Sequence, residues 1–133
     1  IFNEAKNLKV DVRFLGVFSN KKLANIYNRY PIYVICSNIE GNPKTLLESM
    51  ACGNAIIGTN VTGINNIIIS KENGLLCEKN DEEIREAIIY LMKNPDVRKT
   101  LGNAAREKVI KENSIQKFVD KEFLIYKSLL KIN

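Results

Sequence analysis

Two stretches restrict the fold of this 133-residue chain more than anything else in it: Ile32-Tyr33-Val34-Ile35-Cys36 and Ala55-Ile56-Ile57-Gly58-Thr59. Each is apolar or β-branched at nearly every position rather than at alternate ones. A strand with one wet face alternates; a run without alternation suits a strand covered on both faces, as in a parallel sheet. Parallel neighbours cannot be joined by a tight hairpin and need a crossover, usually a helix. The residues between the two runs supply one. From Lys44 to Cys52, Leu46, Leu47, Met50 and Ala51 share a side, and Gly53 follows as a stop.

The same alternation extends both ways. Asp11-Val12-Arg13-Phe14-Leu15 reads as a strand ending at Gly16. Ser19 reads as the N-cap of a helix with Leu23, Ile26 and Tyr27 on one side, closed by Pro31. Residues 63–69 read as a short helix, and Gly74-Leu75-Leu76-Cys77 as a last strand. Three helices are expected after it. Asn80 or Asp81 caps the first, whose core side is Ile84, Ala87, Ile88 and Leu91. Pro95 or Asp96 opens the second, with Val97, Leu101, Ala104, Ala105 and Val109. Ser114 starts the third, through Phe118, Val119, Phe123, Tyr126, Leu129 and Leu130. These helices are expected to pack back on their own sheet, with a partner-binding bundle as the alternative. The fold class is α/β: a Rossmann-like parallel sheet flanked by helices, with a helical C-terminal third.

Composition removes several kinds of chemistry. There is no His, which excludes an imidazole base or a Ser-His pair in this segment. Cys36, Cys52 and Cys77 share no CxxC spacing, so a metal site is not expected, and buried thiols in a reducing cytoplasm are. The net charge of +5 is mild. The front is basic (Lys6, Lys9, Arg13, Lys21, Lys22, Arg29 against Glu4 and Asp11), which suits phosphate-bearing ligands or a solvated lysine-rich surface. No basic cluster is interleaved with aromatic residues, so nucleic acid is not the expected partner. No apolar run approaches the roughly 20 residues that span a bilayer. The chain opens at Ile1 in what reads as a helix (Ile1, Phe2, Ala5, Leu8), and a segment is expected to precede it.

The informative loop is Ser37-Asn38-Ile39-Glu40-Gly41-Asn42-Pro43-Lys44-Thr45-Leu46-Leu47-Glu48. It joins a buried strand to a helix, outside the carboxyl end of the strand, where open α/β sheets bind ligands. A helix starting near Lys44 presents unpaired N–H groups of Lys44, Thr45 and Leu46, a ready site for a diphosphate. Gly41 permits close approach of a ligand to the backbone. Glu40 and Glu48 flank the anion site. As phosphate ligands they make little sense, but as acceptors for sugar hydroxyls they fit. On spacing alone two surface carboxylates are the better reading, since a bare Glu-x7-Glu pattern is common.

The surrounding residues carry more. Val12-Arg13-Phe14-Leu15-Gly16, Glu40-Gly41-Asn42-Pro43, Leu47-Glu48-Ser49-Met50-Ala51-Cys52-Gly53, Ile56-Ile57-Gly58-Thr59-Asn60-Val61-Thr62-Gly63-Ile64, Asn73-Gly74-Leu75-Leu76, Leu101-Gly102 and Ala105-Arg106 together resemble the retaining GT-B glycosyltransferases of family 4, "group 1". The resemblance covers nearly the whole chain. It implies that 1–133 is a single partial domain, the nucleotide-sugar-binding C-terminal half of a two-domain enzyme. The N-terminal acceptor domain and the first strands would be absent. Glu40 would be the catalytic residue at the transferred sugar's hydroxyls, and Glu48 would bind the ribose. The backbone of Gly41, Asn42, Pro43, Lys44, Thr45 and Leu46 would hold the diphosphate and the sugar's edge, with Phe14 to Gly16 near the base.

The implied reaction moves a hexose from a UDP-, GDP- or ADP-sugar to a glycan or lipid-linked acceptor, with no cofactor and no metal. The cysteines point to the cytoplasm, and the basic front allows peripheral contact at the inner face of the membrane. Departures from the family pattern are visible. Asn42-Pro43 replaces the usual Phe-Gly, Ser49 a common Ala, and Asn66 a frequent Glu. The Gly-Arg loop and downstream Lys that clamp the diphosphate would precede Ile1, so this chain alone is expected to be inactive. Two other readings are a non-catalytic α/β module that binds nucleotide or a partner, and a nucleotide-sugar epimerase. Epimerases of this design normally use a catalytic His, which is missing here.

Overall fold

A computed structural model describes residues 2–130 of the chain. Nine elements follow in order: α1 (Phe2–Asn7), α2 (Asn20–Arg29), β1 (Ile32–Ile35), α3 (Lys44–Ala51), β2 (Ala55–Thr59), β3 (Leu75–Cys77), α4 (Asp81–Lys93), α5 (Pro95–Asn113) and α6 (Ile115–Leu130). Ile1, the first residue of the helix expected at the front, lies outside the described residues. The sheet has three parallel strands in the order β1-β2-β3, with Ile32 opposite Ala55 and Ile57 opposite Leu75.

The unbroken apolar runs have the expected cause. All five residues of β2 are buried, because the central strand is covered on both faces. On one face Ile35 and Ile56 meet Leu46 and Met50 of α3, Ile64 and Ile68 of the following turns, and Ala105 and Val109 of α5. On the other, Ala55, Ile57 and Cys77 meet Ala87 and Leu91 of α4 and Leu101 of α5. At about 25 cal/mol per Å² of apolar surface removed from water, these two clusters dominate the stability of the fold.

Close approach of α5 to the sheet depends on Gly102. A Cβ there would stand 2.2 Å from the Gly53 carbonyl oxygen, so the helix crosses backbone against backbone. The helix starts follow their local chemistry. Asn80 caps α4 by accepting from the Glu83 N–H at 2.9 Å, and the Glu83 carboxylate accepts in return from the Glu78 N–H at 2.7 Å. Pro95 stands in the first turn of α5, where its missing N–H costs nothing.

Four expectations need correction. Residues 11–15 form no strand: Val12, Phe14 and Leu15 are exposed, and the segment is extended coil in which Arg13 pairs with Asp11 at 2.9 Å. A strand is held by its ladder, and the sheet of the described residues consists of β1, β2 and β3, without this segment. Residues 63–69 form successive turns rather than a helix, with Ile67 and Ile68 N–H groups both donating to the Ile64 carbonyl. α4 and α5 pack on the sheet, but α6 does not. Its apolar side chains, Phe118, Phe123, Tyr126, Leu129 and Leu130 among them, are exposed, and no residue of α6 is buried. Of the three cysteines, Cys77 is buried and Cys52 half-buried, but Cys36, one residue past β1, is exposed; all are free thiols.

Ser49, in the buried face of α3, is fully buried and its hydroxyl has no hydrogen-bond partner. A lone buried hydroxyl costs about 1–3 kcal/mol in desolvation. Ser49→Ala is therefore expected to stabilise the chain by about 1 kcal/mol, read as a higher urea midpoint at unchanged slope. A lower midpoint would show that the hydroxyl contributes to stability.

Candidate functional site

The carboxyl ends of β1 and β2 open onto the loop that carries Glu40 and onto the start of α3. Two helix starts in this chain can be compared. α4 has a side-chain cap and three acids in its first turn, Asp81, Glu82 and Glu83, so its positive end is satisfied from within. α3 has neither. Its N-cap is Pro43, which has no hydrogen-bonding side chain, and its first turn carries no acid but begins with Lys44. Lys44 and Thr45 are exposed, as are Gly41 and Asn42 just before them. Among the described residues no hydrogen bond engages the amides of Gly41, Asn42, Lys44 or Thr45. The Leu46 amide differs from the expectation, since it donates to the Pro43 carbonyl at 3.0 Å, and the Leu46 side chain is fully buried. The open donors therefore straddle Pro43 rather than running three residues into the helix.

The two carboxylates are held by different neighbours. Ser37 Oγ donates to Glu40 Oε1 at 2.5 Å, and the Glu40 N–H donates to the Thr62 carbonyl at 3.1 Å. Thr59 Oγ1 donates to the Ser37 carbonyl at 2.7 Å, which ties the same loop to the end of β2. Gly63 has φ +90°, and a Cβ on it would lie 1.9 Å from the Glu40 carbonyl oxygen. A left-handed glycine thus lets the turn after β2 lie directly beneath the Glu40 backbone.

Glu48 projects from the second turn of α3, where Tyr27 Oη lies 3.5 Å from its Oε2. Tyr33, on β1, donates its hydroxyl to Thr45 Oγ1 at 2.8 Å and stacks edge-on to Tyr27 with ring centroids 5.9 Å apart. Burial, offset in part by that bond to Thr45, pushes the Tyr33 phenol above its ordinary range, and the charges of Glu40 and Glu48 both add to the push. Both carboxylates therefore act on one phenol at the head of α3. The helix start between them is uncovered, with Lys44 and Thr45 exposed.

Loop spacing identified Glu40, Glu48 and the residues between them. It missed Ser37 and Gly63 as supports of Glu40, and Tyr27 and Tyr33 beside Glu48. Tyr27 was visible only as one apolar position of α2, since nothing in helical spacing shows which helix its hydroxyl reaches. The segment at Phe14 to Gly16 lies in exposed coil. Next to it Asp11, Arg13, Leu15, Arg29 and Tyr30 line an open depression of about 420 Å³. A larger cavity of about 590 Å³ lies between β3, α4 and α5, lined by Leu75, Ala87, Tyr90 and Leu101. It belongs to the other side of the sheet from α3. No group of three or more metal-ligating side chains occurs among the described residues.

Residues 2–108 match the family model described as "Glycosyl transferases group 1". The chain belongs to this family. Among group 1 relatives it is 31% identical over 132 residues to N-acetyl-alpha-D-glucosaminyl L-malate synthase of Bacillus anthracis, covering 98% of this chain and 35% of that protein. The fold matches sucrose-phosphate synthase of Thermosynechococcus elongatus with a TM-score of 0.90 at 25% identity, over 99% of this chain and 34% of that one. It matches Anabaena HepE, solved in complex with UDP, with a TM-score of 0.89 over 96% of this chain and 35% of that one. At 15% identity the last likeness shows the fold alone. This group 1 chain thus spans about a third of the length of the relatives it matches.

Proposed function

We propose that this chain is the donor-binding part of a retaining glycosyltransferase that moves a hexose from a nucleotide-diphosphate sugar to a glycan or lipid-linked acceptor. The observation that carries the reading is the start of α3, uncapped and free of acids, with Glu40 held by Ser37 in the loop before it and Glu48 beside Tyr27 in its second turn. Four unengaged amides around Pro43 and the charge of Lys44 suit a diphosphate. A carboxylate next to such a site gains nothing from phosphate and much from hydroxyls. On this reading Glu40 accepts from the transferred sugar, and Glu48 from the ribose.

Solved relatives bear on the ligand: HepE is described in complex with UDP, and a TarM variant with UDP as well. As the diphosphate departs, the amides and the helix dipole face the charge that develops on it. No metal is needed in this scheme, since the protein's own donors neutralise the leaving group. The rest of the enzyme would supply the acceptor site and further cations for the diphosphate, so the 133 residues alone are expected to bind a nucleotide without turnover. Peripheral contact with an anionic membrane, where lipid-linked acceptors reside, accords with the mild positive charge. No helix among the described residues is long and apolar enough to cross a membrane.

The test is transfer by the complete enzyme from UDP-, GDP- and ADP-sugars. At least one donor is expected to yield a glycoside with the donor's anomeric configuration, at an undiminished rate in EDTA. Proton NMR of the product reads the configuration. An inverted product, or no transfer from any of the three, would count against the reading. A free epimerised sugar nucleotide would point instead to an epimerase.

A further inference from the structure

We propose that Tyr27 is a positioning residue for the donor's nucleoside: its hydroxyl holds one oxygen of Glu48, so that the other faces the ribose. The inference rests on the assignment of Glu48 to the ribose made above. A glutamate on a helix surface has three rotatable side-chain bonds, and fixing it for a ligand costs free energy at the moment of binding. A neighbour that already holds one carboxylate oxygen lowers that cost, because two oxygens offer about four acceptor positions and one donor leaves the rest.

Tyr27 is itself well held. Asn54, buried at the foot of β2, donates through its side-chain amide to the carbonyls of Tyr27 at 3.0 Å and Tyr30 at 2.5 Å. This pins the last turn of α2 against the end of α3. The Tyr27 ring lies edge-on to Tyr33, at an interplanar angle of 78°, and Tyr33 is bonded in turn to Thr45. A line of contacts therefore runs from Thr45 at the diphosphate end, through both rings, to Glu48 at the nucleoside end. The Tyr27–Glu48 separation of 3.5 Å is long for a hydrogen bond and is expected to shorten when the ribose draws the carboxylate into place. Burial foremost, then the neighbouring Tyr33 and Glu48, pushes the Tyr27 phenol up to about 12, so it remains a neutral donor across the physiological range.

The experiment uses the 133-residue chain, titrated by NMR with UDP, GDP and ADP and with a 2′,3′-dideoxynucleoside diphosphate. Tyr27→Phe keeps the ring and removes the donor. It is expected to weaken the tightest ribonucleoside diphosphate about three- to tenfold and to leave the dideoxy analogue unchanged. Equal affinity in Tyr27→Phe, or an equal loss for the dideoxy analogue, would overturn the inference. Glu48→Gln separates the two levels of the argument. If it weakens ribonucleotide binding while Tyr27→Phe does not, only the role of Tyr27 falls. If it changes nothing, the ribose assignment falls, and the inference with it. Should Tyr27→Phe fail to fold, ultraviolet titration of the tyrosines in wild type and Glu48→Gln decides. The phenol ionising near 12 is expected to move down without the carboxylate, and an unmoved titration overturns the contact.

Discussion

Replacing Glu48 by alanine in the complete transferase is expected to lower kcat/KM for the donor by about two orders of magnitude. A ribose diol donates two hydroxyls to one carboxylate, and each hydrogen bond to a charged group is worth about 1.5–3 kcal/mol. Losing both, with partial replacement by water, amounts to roughly 3 kcal/mol, or about a hundredfold. The ribose is far from the bond that breaks, so the contact has similar strength in the ground and transition states. The loss should therefore appear mostly in KM, with kcat little changed. The fold should survive, because Glu48 lies half-exposed and the bond its carboxylate makes to Tyr27 is long. Donor saturation kinetics on the folded variant provide the check. Unchanged kcat/KM would favour the rival reading of a non-catalytic α/β module.

Gly63→Ala should be as damaging, through the backbone rather than a ligand contact. At φ +90° any side chain is strained, and the added methyl would have to displace the Glu40 carbonyl from 1.9 Å. Left-handed strain costs about 1–2 kcal/mol and overpacking about 1–3 kcal/mol, so a loss of about 3 kcal/mol is expected. The shift would be transmitted to Glu40, whose N–H is bonded to Thr62, the residue before Gly63. A fall in kcat is expected alongside the lowered urea midpoint if, as proposed, Glu40 accepts from the reacting sugar. Gly102→Ala is the appropriate control. It too meets a backbone carbonyl, at 2.2 Å, but that of Gly53, past the C-terminal end of α3, whereas Glu40 precedes its N-terminal end. It should lower stability and leave the folded enzyme's kcat near wild type. A Gly63→Ala enzyme with normal stability and turnover would show that the turn after β2 relaxes without moving Glu40.

The candidate site was legible where chemistry lies along the chain. Glu40, Gly41, Pro43, Lys44 and Glu48 fall within one strand–loop–helix unit, and a helix start advertises its donors whatever surrounds it. The exception at Leu46 is local as well: its amide donates to the Pro43 carbonyl instead of standing open, which sequence spacing does not reveal. The supports were not legible. Gly63, Tyr27 and Tyr33 reach the site from a turn, a helix and a strand that only the packed sheet brings together.

The residues themselves determined that this chain would be α/β. Unbroken apolar runs demand cover on both faces, and such strands must be joined by helices, which is a matter of local pattern and burial. They also determined the cap of α4, the proline that opens α5 and the family to which the chain belongs. Tertiary structure decided what depends on a neighbour. The run at residues 11–15 has strand-forming residues but no ladder, and so it stays coil. α6 has an apolar stripe as clear as that of α4, yet only α4 lies over the sheet. Hydrophobic periodicity records that a face should be buried; which surface buries it is settled by contacts distant in sequence.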